Sequence, residues 1–172
     1  MSARPPLLGG RAFFCGDFVD TDVMAPGRFE PYADAEQLAR AALIDYPSDV
    51  PFIEPGSSRS NYGVIVAGEE FGCGSSRETA PMALAYAGVE VIVARSFARI
   101  FFRNCINMGL ILPVHFEHSL DASILGAEVW VDLDACWFEV AGQRHTLPDY
   151  GPLSQIYRAG GLTAYNKARR GH

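Results

Sequence analysis

Short, uniformly apolar runs alternate along this chain with segments of helical pattern. Val64-Ile65-Val66-Ala67 and Val91-Ile92-Val93-Ala94 are β-branched runs, the first bounded by Gly63 and Gly68, and they suit strands buried on both faces. Between them, Glu78 to Ala87 carries strong helix formers and stops at Gly88. Phe97 to Met108 follows as a second helix, with Ser96 as its expected N-cap and Gly109 as its stop, and Leu110 to Val114 is a third core strand. Strand, helix and strand at such short spacing predict βαβ units around a parallel core.

The flanks read more loosely. Residues 1–10 are expected to form a loose leader, Arg11 to Cys15 the start of a first strand, and Asp17 to Asp22 a polar turn. Ala33 to Asp45 predicts a helix capped by Asp34, with Leu38, Leu43 and Ile44 on its apolar face and Pro47 closing it. Strands around Glu128 to Leu133, Cys136 to Ala141 and Gln143 to Leu147 suit an antiparallel cap on the parallel core. Pro152 to Ala159 is a closing helix stopped by Gly160-Gly161, which leaves 163–172 as a solvated tail. The expected class is α/β, in one domain spanning 1–172.

Composition narrows the function. At 172 residues, 49% hydrophobic and 20% charged, the chain can bury a real core as a soluble protein. A formal net charge of −6, with only the short Lys167-Ala168-Arg169-Arg170 run on the basic side, argues against nucleic-acid binding, because phosphate contacts need clustered Lys and Arg. The four cysteines, at 15, 73, 105 and 136, contain no Cys-x-x-Cys pair, which argues against a zinc or iron–sulfur site made by this chain alone. His115 and His118 lack a carboxylate or cysteine partner in their motif and read as turn or surface residues. With no apolar run near the roughly 20 residues of a membrane span and no secretory leader, the cytoplasm is the expected location.

The chemistry concentrates in Phe71-Gly72-Cys73-Gly74-Ser75-Ser76-Arg77-Glu78, between a strand and a helix N-terminus. Such a terminus offers unpaired N–H groups and a positive dipole, so it favours an anion. Gly72 and Gly74 allow the backbone φ > 0 and close approach, Ser75 and Ser76 supply hydroxyls, and Arg77 supplies a fork for a carboxylate. From the residues alone a plainer reading stands beside this one: a turn with a serine N-cap and Glu78 completing a capping box. Tyr46 to Asn61 is a Pro-, Ser- and Gly-rich surface loop containing a second Ser-Ser-Arg, Ser57-Ser58-Arg59, and residues 46–62 form the candidate specificity loop. On the helix from Phe97, Arg103 suits a solvated face, whereas Arg99 and Asn104 are candidates for supporting the cleft or a subunit contact.

Two separated signatures carry a resemblance. The run Gly68 to Pro113, with Phe-Gly-Cys-Gly-Ser-Ser-Arg-Glu, Ala80-Pro81, Ser96-Phe97-Ala98-Arg99-Ile100-Phe101 and Asn104 to Leu110, resembles the small subunit of 3-isopropylmalate dehydratase, equivalent to the swivel domain of the aconitase superfamily. Asp20-Thr21-Asp22-Val23 and Pro26-Gly27-Arg28-Phe29 resemble that family's other signature. The resemblance implies a swivelling β/β/α domain and a dehydration and rehydration that moves a hydroxyl between adjacent carbons of a hydroxy diacid. It implies Ser75 as the base, Ser76 as part of the anion site that lowers its pKa, and Arg77 as a carboxylate clamp. It also implies Thr21, Asp22, Arg28 and Gly74 as residues of the substrate cleft, and Arg59 as a specificity contact. The [4Fe-4S] cluster that activates the hydroxyl would sit on a larger partner subunit, not on this chain. One departure is Thr79, where the family usually has His; it bears on substrate identity, with homoaconitate, dimethylmalate and phosphonomethylmalate types as relatives of isopropylmalate. A rival class is a non-catalytic binding module that has kept the fold.

Overall fold

The computed structural model describes residues 7–32 and 34–170. Strands β1 (Leu7–Phe14), β2 (Val64–Ala67), β3 (Val91–Ala94), β4 (Leu112–His115), β5 (Glu128–Asp132), β6 (Trp137–Val140) and β7 (Gln143–Thr146) form one seven-stranded sheet in the order β4-β3-β2-β1-β5-β6-β7. From β4 to β1 neighbouring strands are parallel, with Val64 beside Val91 and Val91 beside Leu112. From β1 onward they are antiparallel, with Leu7 beside Asp132 and Trp130 beside Glu139.

The uniformly apolar strands are buried on both faces, as their pattern predicts. Phe13, Ile65, Ala67, Ile92 and Ala94 project into one core, beneath the helices α1 (Thr21–Met24), α2 (Ala35–Ala41) and α3 (Thr79–Tyr86). Val64, Val66, Val91 and Val93 project into a second core that they share with Val129, Val131, Phe138 and Val140 of the antiparallel strands. The sheet therefore curls on itself, and the antiparallel strands do cap the parallel core, as a continuation of the same sheet. Ile106 of α4 (Arg99–Met108) and Tyr157 of α5 (Pro152–Arg158) fill that second core.

Five sequence expectations change. Leu7 to Gly10 are not a leader: they pair with β5, because Gly9 lacks the Cβ that would collide with the Val129 carbonyl and the Trp130 ring, and residues 1–6 lie outside the described set. The helix expected over 33–45 is regular only over α2, since Leu43 turns to φ 54° to donate its N–H to the Met24 carbonyl; Asp34 does cap it, accepting from Gln37 N–H at 2.8 Å, and Ala33 is outside the described set. The turn over Asp17–Asp22 runs into α1, capped by the Asp20 carboxylate on Asp22 N–H. Ser96 does not cap α4: Phe97 and Ala98 stay extended beside Phe71, and the Ser96 hydroxyl instead accepts from Glu70 N–H at 2.8 Å. Within the expected tail, residues up to Arg170 belong to α6 (Leu162–Arg170), which packs on α4 and α5. Among the described residues no helix is long and apolar enough to cross a membrane.

The link between β2 and α3 is pinned on α4. Phe71 packs edge-on against Phe97 and Phe101, with ring centroids 6.4 and 5.5 Å away. Gly72 has φ 86°, and a Cβ there would lie 2.2 Å from Cγ of Phe101. Gly72→Ala is therefore expected to destabilise the chain by about 2–4 kcal/mol, from backbone strain plus overpacking, read as a lower urea midpoint at unchanged m-value.

Candidate active site

Three segments leave the carboxyl ends of β1, β2 and β3 side by side, the edge of a parallel sheet where ligands bind. Hydrogen bonds lace them together. Phe18 N–H donates to the Glu69 carbonyl at 2.7 Å, Gly72 N–H to Val19 at 2.9 Å, and Thr21 N–H to Cys73 at 2.9 Å. Phe71 N–H donates to the Ser96 carbonyl at 3.1 Å, and Ala98 N–H returns to Phe71 at 3.0 Å. The Thr21 hydroxyl, only 1% exposed, donates to the Ser75 carbonyl at 2.9 Å and so fixes the serine loop from below. Gly74, at φ 89°, sits where a Cβ would strike the Asp20 carboxylate at 2.2 Å, which is why the loop needs glycine there.

The result is a cleft of about 240 Å³, lined on one side by Thr21, Gly74, Ser75, Ser76 and Arg77 and on the other by Arg99, Ile100, Phe101 and Asn104. The first turn of α4 forms one wall, and the serine loop runs into α3. Neither helix has a side-chain cap: Glu78 and Ala98, at the two N-cap positions, make no capping bond. The capping-box alternative for Ser75, Ser76 and Glu78 is thus not what the loop does. Two positive helix ends converge on one cleft, with both serines exposed beside them. Arg77 is held at 2.6 Å from the Asp22 carboxylate, donates to the Ala25 carbonyl at 3.4 Å, and lies against the bare Cα of Gly27.

The structure brings Thr21, Gly74, Ser75, Ser76 and Arg77 into the cleft, with Asp22 attached through its ion pair to Arg77. It does not bring Arg28 or Arg59 there. Both terminal nitrogens of Arg28 are engaged by Asp45, at 2.6 and 2.7 Å, and its guanidinium lies over the Phe29 ring; that pairing raises the Arg28 pKa and lowers that of Asp45. Arg59 lies beside Gly88 at the carboxyl end of α3, eight helical residues and about 12 Å from the serine loop. Of the charged residues on α4, Arg99 lines the cleft with Asn104, and Arg103 does not. Ile100 and Phe101 stand in the Ser96–Phe101 signature without an expected role in the cleft; the signal available was their place just after the third parallel strand, at the same sheet edge.

The chain's residues do not fit an iron–sulfur cluster. Such a cluster needs several thiolates on one center. Cys15 and Cys105 are fully buried and burial pushes both thiols far up, Cys73 is raised by burial and by the neighbouring Asp20 carboxylate, and Cys136 lies on the β5–β6 connection. Among the described residues no group of three or more His, Cys, Asp or Glu could hold a metal ion.

Known proteins share this arrangement. The family model of the aconitase C-terminal domain matches residues 53–119, which include the serine loop and both cleft helices. The 3-isopropylmalate dehydratase small subunit of Aquifex aeolicus is 40% identical over 163 residues, 93% of this chain and 94% of that one. The methanogen homoaconitase small subunit of Methanocaldococcus jannaschii is 38% identical, over 95% of this chain and 94% of its own length. The crystal structure of a 3-isopropylmalate dehydratase from the same archaeon superposes with a TM-score of 0.76 at 38% identity, covering 95% of each chain. Likeness of this degree along nearly the whole length, with the family match lying across the cleft, means that the chain belongs to the family of 3-isopropylmalate dehydratase small subunits, within the aconitase superfamily.

Proposed function

We propose that the chain is the small subunit of a two-subunit hydro-lyase that isomerises a 2-hydroxy diacid by removing water and adding it back, with 3-isopropylmalate as substrate. The observation that carries this reading is the pair of exposed serines beside Arg77, in a cleft where two uncapped helix N-termini meet. Elimination next to a carboxylate needs a base for the carbon-bound proton and a cation for the charge that develops on the carboxylate. Ser75 is the base. A free serine is far too weak for this, so its alkoxide has to be favoured by the positive helix ends and by backbone N–H groups of the loop that also carries Ser76. Arg77 clamps the substrate carboxylate, pre-oriented by Asp22 and the Ala25 carbonyl. Thr21 and Gly74 shape the floor of the cleft.

The iron–sulfur cluster implied by the superfamily would be held by a larger partner subunit and would supply a Lewis acid for the hydroxyl. This chain holds and moves the proton, binds the carboxylate and closes one side of the site. Arg28 reaches a substrate carboxylate only by exchanging Asp45 for it in the assembled enzyme, and Arg59, at the far end of α3, takes no part in the cleft of this chain. The homoaconitase relative supports a second reading, the same chemistry on a longer or differently substituted diacid, with Thr79 in the first turn of α3 as one of the tuning positions. Four unpaired thiols suit a reducing compartment, and the cytoplasm is the place we assign.

The test is an anaerobic assay with iron and sulfide reconstitution of this chain, the candidate large subunit, and their mixture, on isopropylmalate and its homologues. Activity is expected in the mixture alone. In that mixture Ser75→Ala is expected to lower kcat by about 10²–10⁴-fold while leaving assembly intact; wild-type turnover by a folded, assembled variant would exclude Ser75 as the base. Thr21→Val, which keeps the shape but leaves the Ser75 carbonyl without its donor, is expected to cost about 1 kcal/mol in urea denaturation and to reduce kcat more than it changes KM.

A further inference from the structure

Phe18 has φ 55°, in the left-handed region that side chains other than Gly, Asn and Asp seldom adopt, and it is 62% exposed, the most exposed large hydrophobic residue described. The other non-glycine residues with positive φ have local reasons. Leu43 is buried, the Glu70 carboxylate and N–H both bond the Ser96 hydroxyl, and Cys136 and Ala141 occupy the tight connections flanking β6. At Phe18 the backbone is held by its N–H bond to Glu69, but the side chain gains nothing from it: the ring is exposed and makes no aromatic or cationic contact among the described residues.

Nor is this turn slack. Phe18 N–H donates to Glu69, the preceding Asp17 carboxylate accepts from Glu69 N–H at 2.7 Å, and the following Val19 is buried with its carbonyl bonded to Gly72. The fold thus maintains strain that holds an apolar ring outward, a combination found at functional positions. The next residue, Val19, accepts from the cleft-lining Gly72, and Thr21, three residues on, lines the cleft itself, so Phe18 lies on the turn that leads into it, at the same edge of the sheet. Ile100, 52% exposed, lines the cleft from α4. Around Phe18 the charges are mainly acidic: Asp17, Glu69 and Glu70, with Arg95 engaged to Glu69 at 2.9 Å.

We propose that Phe18 is a preorganised anchor by which this chain docks onto its larger subunit, inserting into an apolar socket ringed by Lys or Arg; the inference rests on the two-subunit reading above. The occupant follows from the cleft. Its residues offer a base and a cation but no ligand set for the cluster, so the other half of the site has to arrive at this edge of the sheet, where the turn carrying Phe18 also lies. An exposed aromatic on a backbone already fixed by hydrogen bonds is the type of residue that becomes an interface hot spot.

The experiment measures association of the reconstituted large subunit with wild-type chain, Phe18→Asn, Phe18→Gly and the control Leu153→Asn, an exposed apolar residue on α5. Calorimetry and titration of activity against small-chain concentration give Kd and kcat separately. Both Phe18 variants are expected to raise the melting temperature of the isolated chain by about 2 °C or more, because Asn and Gly fit the left-handed backbone, and to weaken Kd at least about tenfold. At saturating small chain kcat is expected to return to wild type, and Leu153→Asn is expected to match wild type throughout. Phe18 variants that bind within twofold of wild type would overturn the anchor and leave the two-subunit reading intact. Phe18-dependent self-association without the large subunit would overturn it in favour of a second copy of this chain. Failure of the wild-type chains to associate would remove the two-subunit reading and the anchor with it.

Discussion

The site depends on one buried hydroxyl. Thr21 is enclosed where three loop segments meet, and its bond to the Ser75 carbonyl ties the turn after β1 to the loop after β2. A buried donor of this kind has one satisfactory partner, so the geometry of the serine loop is set by a group more than fifty residues earlier in the chain. The neighbouring backbone bonds, from Gly72 to Val19 and from Thr21 to Cys73, extend the same seam. The serine hydroxyls can then remain exposed while their backbone stays fixed, which is the condition for electrostatic preorganisation.

Charge follows from the same arrangement. In a sheet whose parallel strands progress in one direction, the helix after each strand begins at the same edge, so α3 and α4 point their positive ends at a shared space. Side chains at the N-cap position usually cap such ends, and here neither Glu78 nor Ala98 does. Uncapped termini are unfavourable for an isolated helix and useful to an anion. In a chain of net negative charge, the guanidinium groups of Arg77, paired with Asp22, and of Arg99 join the helix ends at this cleft.

Most of this was legible before the structure. The β-branched runs gave the core strands because burial on both faces removes alternation, whereas the glycine-serine loop suited an ordinary serine-capped turn as well as an anion site, and the two separated signatures decided between them. What escaped the sequence was set by tertiary partners. Gly9 reads as a breaker until Trp130, 121 positions away, is seen lying over it. Ser96 has the local signature of an N-cap, yet Phe97 pairs with Phe71 and delays the helix, so the hydroxyl goes to Glu70. Arg28 follows a stretch that sends Thr21 into the cleft, but Asp45 claims it; Arg59, in a second Ser-Ser-Arg, lies instead at the end of α3. A motif specifies which side chains are available; their partners decide where they point.

The position of β1 carries a consequence for biosynthesis. It is the strand at which the sheet changes from parallel to antiparallel, and its two neighbours come from very different points in the chain: β2 begins at Val64 and β5 at Glu128. As the chain emerges from the ribosome, β1 can pair on one side early, while its other edge stays open until β5 arrives. An unpaired, apolar edge in a nascent chain is a template for wrong pairing. Closure of the curled sheet is therefore the late, entropically costly event of folding, and the nascent chain is most in need of shielding during that interval.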